Sequence, residues 1–241
     1  MANSEDARKK ETAGIVGWTT LAVMVAVAIG NRFITPFIMT APVLIFVLRS
    51  DDSRSTTMMR ELAWRWMATT LVAVLIATAF VPGRAASSFL FGPELSASVP
   101  RFLAGVGSAP WSVLWLLGMS LLFVLGTVLS GGIAGWILAG TFVCAAAISG
   151  SAVFGFSHNI LQSAFIALSP WQWVFLAGLW FLLDPLSRFS QARVLRRGAT
   201  FDFSRHKRPI VWGGGLILLS IILRIALVAP YASLARKLTI M

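Results

Sequence analysis

Apolar runs of membrane-spanning length, separated by short polar connections, account for most of the chain. Residues 14–30, 33–48, 62–81, 111–129, 133–148, 171–183 and 210–228 form seven such segments. Between Arg101 and Asp184 lie 82 consecutive residues without an Asp, Glu, Lys or Arg. A spanning helix needs about 20 mostly apolar residues, and a central charge costs roughly 2.5–3.5 kcal/mol on insertion. The pattern predicts an all-α polytopic integral membrane protein forming a single transmembrane domain over residues 1–241. About seven transmembrane helices are expected, with six and eight as limits, plus one re-entrant or interfacial helix.

Turn-forming residues set the boundaries. Asn31-Arg32 predicts a tight polar turn between the first two segments, and Pro36 and Pro42 predict a short, kinked second one. Pro82-Gly83 ends the third segment. Residues 84–109 are too mixed to cross and read as a surface loop with an interfacial helical turn. Ser130-Gly131-Gly132 joins the next two segments into a helical hairpin with almost no loop. Gly132, Gly135, Gly140 and Ala145, Ala146 and Ala147 are small residues of the kind that let helix backbones approach closely in lipid. Residues 149–168 contain Ser157, His158, Asn159, Gln162 and Ser163 and read as re-entrant or interfacial, not spanning. Ser169-Pro170 supplies an N-cap and a first-turn proline for the segment that follows.

Charge adds orientation. The polar arm at 1–12 balances Arg8, Lys9 and Lys10 against Glu5, Asp6 and Glu11. Ala26-Val27-Ala28 after a short apolar run is compatible with a cleavable signal peptide, but the acidic residues break the usual charge pattern, so a retained helix is expected. The connection at 186–209 is the most basic part of the chain, with Arg188, Arg193, Arg196, Arg197, Arg205, Lys207 and Arg208 against Asp202. A cytoplasmic N-terminus places 14 of the 20 basic residues inside, provided that an even number of crossings separates the two charged connections. Basic residues flanking apolar runs are topology signals, so the net charge of +11 does not imply nucleic-acid binding. With 57% hydrophobic and 12% charged residues, no segment is left over for a separate soluble domain. Cys144 is the single cysteine, which excludes an intramolecular disulfide and a thiolate metal cluster.

Candidate chemistry is sparse. No acidic residue falls at the centre of an expected span, which argues against a carrier built on a buried carboxylate. Arg224 is the one embedded charge; a few residues from Val228, it is expected to snorkel to the outer interface, with pairing to a partner subunit or an anionic lipid as the alternative. Asp184 and Arg188 are spaced to pair on one helix face. His158 and Gln162, one turn apart, are the candidate cofactor-binding pair, and His206 is expected at the opposite end. Trp64, Trp66, Trp111, Trp171, Trp173 and Trp212 fall near span ends and read as an aromatic belt, with Trp115, Trp136 and Trp180 deeper.

The stretch from Ala147 to Gly155 resembles the serine segment of rhomboid intramembrane proteases. Where that family's motif begins with glycine this chain has Ala147, and no histidine occurs in the last span to act as base, so no catalytic residue is carried over.

These observations favour a non-catalytic integral subunit of a larger assembly in a bacterial-type inner membrane, in contact with lipid and with other membrane subunits or copies of itself. Arg193, Arg196, Arg197, Arg205, Lys207, Arg208 and Arg224 are its expected contacts to an acidic partner or anionic lipid. A small transporter or channel for a hydrophobic or uncharged solute is the alternative, and an intramembrane enzyme a weaker one. The sequence names no cofactor.

Overall fold

The computed structural model describes residues 2–49, 56–154, 169–194 and 201–240, and every regular element within them is an α-helix. The helices are α1 (Ala2–Ile29), α2 (Thr35–Arg49), α3 (Thr56–Phe80), α4 (Pro82–Ser88), α5 (Gly92–Leu103), α6 (Val113–Leu129), α7 (Ile133–Phe154), α8 (Pro170–Val194) and α9 (Phe203–Ile240). By length and composition, three stretches suffice to cross a membrane: Met58–Phe80, Ile133–Val153 and Phe203–Lys237. Ala13–Ile29, Thr35–Val47 and Val113–Leu129 are apolar but shorter. The length criterion therefore yields fewer spans than the seven expected. α8 is long enough, but its composition falls short: Gln172, three tryptophans and Asp184 interrupt its apolar run, and Arg188 and Arg193 follow in its last turns.

Local chemistry sets the helix ends. Gly30, at φ 71°, closes α1, and the Asn31 side-chain oxygen accepts the backbone N–H of Phe33 at 3.0 Å, forming the predicted turn. Ser112 caps α6 by accepting the Trp115 N–H at 3.2 Å. At Ser130-Gly131-Gly132 both glycines have positive φ, and the Ser130 hydroxyl accepts the Ala134 N–H at 2.8 Å to start α7. Before α8 the Ser169 N–H donates to Gln172 Oε1 at 2.9 Å, one half of a capping box, with Pro170 at the first helical position.

Three parts of the sequence expectation change. Residues 84–109 are not mainly loop: α4 and α5 occupy much of them, and Leu95, Val99 and Phe102 form a buried stripe along α5. Pro93 falls in the first turn, where its missing N–H costs nothing, while Glu94 and Arg101 sit at the ends the helix dipole favours. Second, the helix of the hairpin continues to Phe154, so 149–154 belong to α7 and not to a new segment; residues 155–168 lie outside the described residues. At the start of the chain, helical backbone reaches back to Ala2, making the polar arm the first turns of α1.

The bundle has two distinct ends. At one, Arg84 of α4 donates to the last-turn carbonyl of Val27 at 3.2 Å, Phe102 of α5 stacks on Tyr231 of α9, and Trp171 of α8 meets the same tyrosine edge-on. Val153, near the end of α7, joins that cluster. At the other end, Trp180 of α8 donates to the Arg60 carbonyl of α3 at 2.8 Å, and Ser190 donates to the Val128 carbonyl of α6 at 2.6 Å. The start of α3 and the junction of α8 with α9 thus share one end, and four helices (α3, α6, α7 and α8) run between them. The end of α7 and the start of α8 both lie at the opposite end.

α7 forms the centre: 78% of its apolar span is buried, against 22% for α9. Its small residues explain this position. A Cβ at Gly135 would collide with Thr127 of α6, and one at Gly140 would lie 3.1 Å from both Thr40 and Trp66. Ala145, Ala146 and Ala147 are fully enclosed.

Candidate functional site

The basic end is where charged side chains converge. Arg188 donates to Asp184 Oδ1 at 2.8 Å across one turn of α8, as the spacing predicts, but Asp184 is 3% exposed, so its carboxylate sits inside the protein and not at a free surface. Its second oxygen has no hydrogen-bond partner. The Ser187 hydroxyl and His206 Nδ1 are likewise buried and unpartnered. His206, at the start of α9, lies flat against Phe201 at 5.0 Å and within electrostatic reach of Asp184, Arg188 and Arg60. Three helices therefore bring four ionisable groups together. Beside them Arg205 pairs with Asp202 at 3.2 Å. Ser204 donates to Asp202 from both its N–H and its hydroxyl, which holds the Asp202 carboxyl below its ordinary range.

The predicted contact residues divide accordingly. Arg193, Arg205, Lys207 and Arg208 are exposed at the basic end, with Arg193 held over the Phe189 ring at 5.6 Å. Arg196 and Arg197 lie outside the described residues, as do His158 and Gln162. Arg60 was not among the sequence candidates. The Trp180 indole on its carbonyl and the Phe181 ring near its guanidinium both lie on α8, and no local pattern on α3 carries that information.

Arg224 departs from expectation. It does not snorkel: at 8% exposure it is turned into the protein. Its Nε donates to the Trp111 carbonyl and its Nη2 to the Ala109 carbonyl, each at 3.1 Å. Its guanidinium carbon lies 5.3 Å from the centre of the Trp171 ring. The charge fastens the loop before α6, where Trp111 adopts the left-handed region at φ 59°, unusual for a bulky residue. Arg84 acts similarly on the Val27 and Ala28 carbonyls that end α1. At this end arginines satisfy backbone acceptors that would otherwise be orphaned.

The aromatic belt is also smaller than expected. Trp64, Trp173 and Trp212 are exposed, but Trp66, Trp111 and Trp171 are buried, and Trp66 donates to the Met39 carbonyl at 3.2 Å. In the segment resembling rhomboid proteases, Ser149 and Ser151 direct their hydroxyls to the carbonyls of Ala145 and Ile148 within their own helix. Both hydroxyl protons are thus already engaged.

Compared with known protein families, characterised proteins and solved structures, the chain matches none.

Proposed function

We propose that this chain is a non-catalytic membrane subunit that anchors partner subunits in a bacterial-type inner membrane, with its N-terminus and basic end on the cytoplasmic side. In this reading α1, α2, α3, α6, α7, α8 and α9 all cross. The 15 residues of α2 reach only about 22 Å against a core of about 30 Å, a mismatch met by local thinning of the bilayer.

The observation that carries the reading is the outer face of α9. Val211, Leu218, Ile222 and Ile225 are all exposed by 60% or more, with exposed Gly215 between the first two. Their spacing of four and three residues keeps such a stripe facing a second helix over several turns. Exposed Arg205, Lys207 and Arg208 stand at its foot, where they meet an acidic surface of the same partner. Each basic residue at an anionic surface contributes about 1 kcal/mol.

Purification in mild detergent tests this. The chain should elute with another membrane polypeptide at fixed stoichiometry, and replacing Arg205, Lys207 and Arg208 together with Gln should lower recovery of that polypeptide. Elution as a lone homo-oligomer that carries a neutral solute into liposomes would favour the transporter alternative instead.

A further inference from the structure

We propose that the cleft between α3 and α8 at the basic end binds the phosphodiester headgroup of an anionic phospholipid. The cleft has a volume of about 550 Å³ and is lined by Arg60, Glu61, Trp64 and Trp180. Its floor is fixed, because the Trp180 indole donates to the Arg60 carbonyl at 2.8 Å and meets Trp64 edge to face at 6.1 Å. Its cation is unspent. Arg65 pairs with Glu61, Arg188 with Asp184 and Arg205 with Asp202, whereas Arg60 Nε is buried without a hydrogen-bond partner and its guanidinium carbon lies 6.0 Å from the Phe181 ring. Glu61 shares the cleft, but its charge is directed to Arg65. The lining therefore presents an Arg60 guanidinium that makes no ion pair among the described residues, set against aromatic rings.

The position selects the ligand. Arg65 is the last charge of α3 before a charge-free, mostly apolar stretch from 66 to 80, so Arg60 and Trp64 stand where a helix passes from headgroups to hydrocarbon. A phosphate oxygen satisfies Arg60 by a charge-assisted hydrogen bond, and the glycerol and first methylenes cover the Trp64 ring, which is 53% exposed. A soluble anion would leave that ring bare. A zwitterionic headgroup carries its own ammonium, which offsets the phosphate charge that Arg60 would meet. The site is separate from the partner contact assigned to Arg205, Lys207 and Arg208, and shares with it only the placement of this end at a membrane surface.

The test uses delipidated full-length protein titrated with phosphatidylglycerol, with phosphatidylcholine of the same acyl chains, and with inorganic phosphate. Binding is read by native mass spectrometry and by thermal unfolding. Phosphatidylglycerol should bind tightest and raise the unfolding temperature, and Arg60→Gln should weaken it about tenfold, as expected for a lost charge-assisted hydrogen bond. Because Trp180 bonds the Arg60 carbonyl and not its side chain, this variant keeps the contact between the helices. Trp64→Ala, on an exposed ring, should weaken binding without changing helix content, and Lys207→Gln should leave it unchanged. Equal binding of phosphatidylcholine would overturn the proposal, as would wild-type affinity in Arg60→Gln or an equal loss in Lys207→Gln. An equal shift with inorganic phosphate alone would assign the cleft to a free anion instead of a lipid.

Discussion

Gly178 of α8 and Gly213 of α9 face each other where these two helices cross. A Cβ on Gly178 would lie 2.8 Å from Ile217 Cγ1 and 3.0 Å from the Gly213 carbonyl, and one on Gly213 would lie 2.6 Å from Leu182. Each glycine is therefore the only residue type that fits its position without displacing a neighbour. Close backbone approach of this kind is a main source of helix association in lipid, where apolar burial supplies little drive.

Gly178→Leu should separate α8 from α9 and lower the thermal unfolding temperature of purified protein, with a cost of about 1–3 kcal/mol for overpacking. Gly214→Leu, where an added Cβ meets nothing within 4 Å, should be tolerated in the same assay. Similar unfolding temperatures for the two variants would contradict the close crossing.

Arg224→Leu should leave the buried carbonyls of Ala109 and Trp111 unsatisfied and remove the cation from the Trp171 ring. A loss of about 2–4 kcal/mol is expected. Hydrogen exchange should accelerate in the loop before α6 more than elsewhere. A snorkelling arginine, by contrast, could be replaced without effect on that loop.

Asp184 and Arg188 make a double-mutant test of buried charge. Arg188→Met leaves the enclosed carboxylate without its donor and should destabilise by about 3 kcal/mol, whereas the pair Asp184→Leu and Arg188→Met should recover part of that loss. Additive losses would show that the two side chains do not act as a unit. Asp184→Leu alone should be the milder single change, since Arg188 is 26% exposed and can turn toward water.

Topology can be tested by labelling single cysteines in a Cys144→Ala background. The positions must be exposed, which Ser87 and Ser108 at one end and Lys207 at the other satisfy. In intact cells an impermeant thiol reagent should modify cysteines at Ser87 and Ser108 and spare one at Lys207. Labelling only at Lys207 would invert the orientation, and labelling at all three would reject the two-ended threading.

Much of the framework was legible in the sequence. Apolar runs and their punctuation located the main helices, the glycine hairpin at Ser130-Gly131-Gly132, the capped start of α8 and the Asp184–Arg188 spacing. Charge parity called for an even number of crossings between the charged connections, an expectation that the labelling experiment tests. What remained hidden was which side of each helix faces protein. In a soluble helix the polar face marks the outside, but here apolar residues line both faces, so the sequence carries little phase information. That is why Trp66, Trp111 and Trp171 read as belt residues and prove to be core, and why the direction of Arg224 was missed: its acceptors are carbonyls about 115 residues away in the chain, a separation that leaves no local pattern. The helical segmentation was set by local composition and turn chemistry, whereas the burial of the tryptophans, the clamp at Arg224, the Gly178–Gly213 crossing and the unpaired Arg60 were decided by which helices the bundle places side by side.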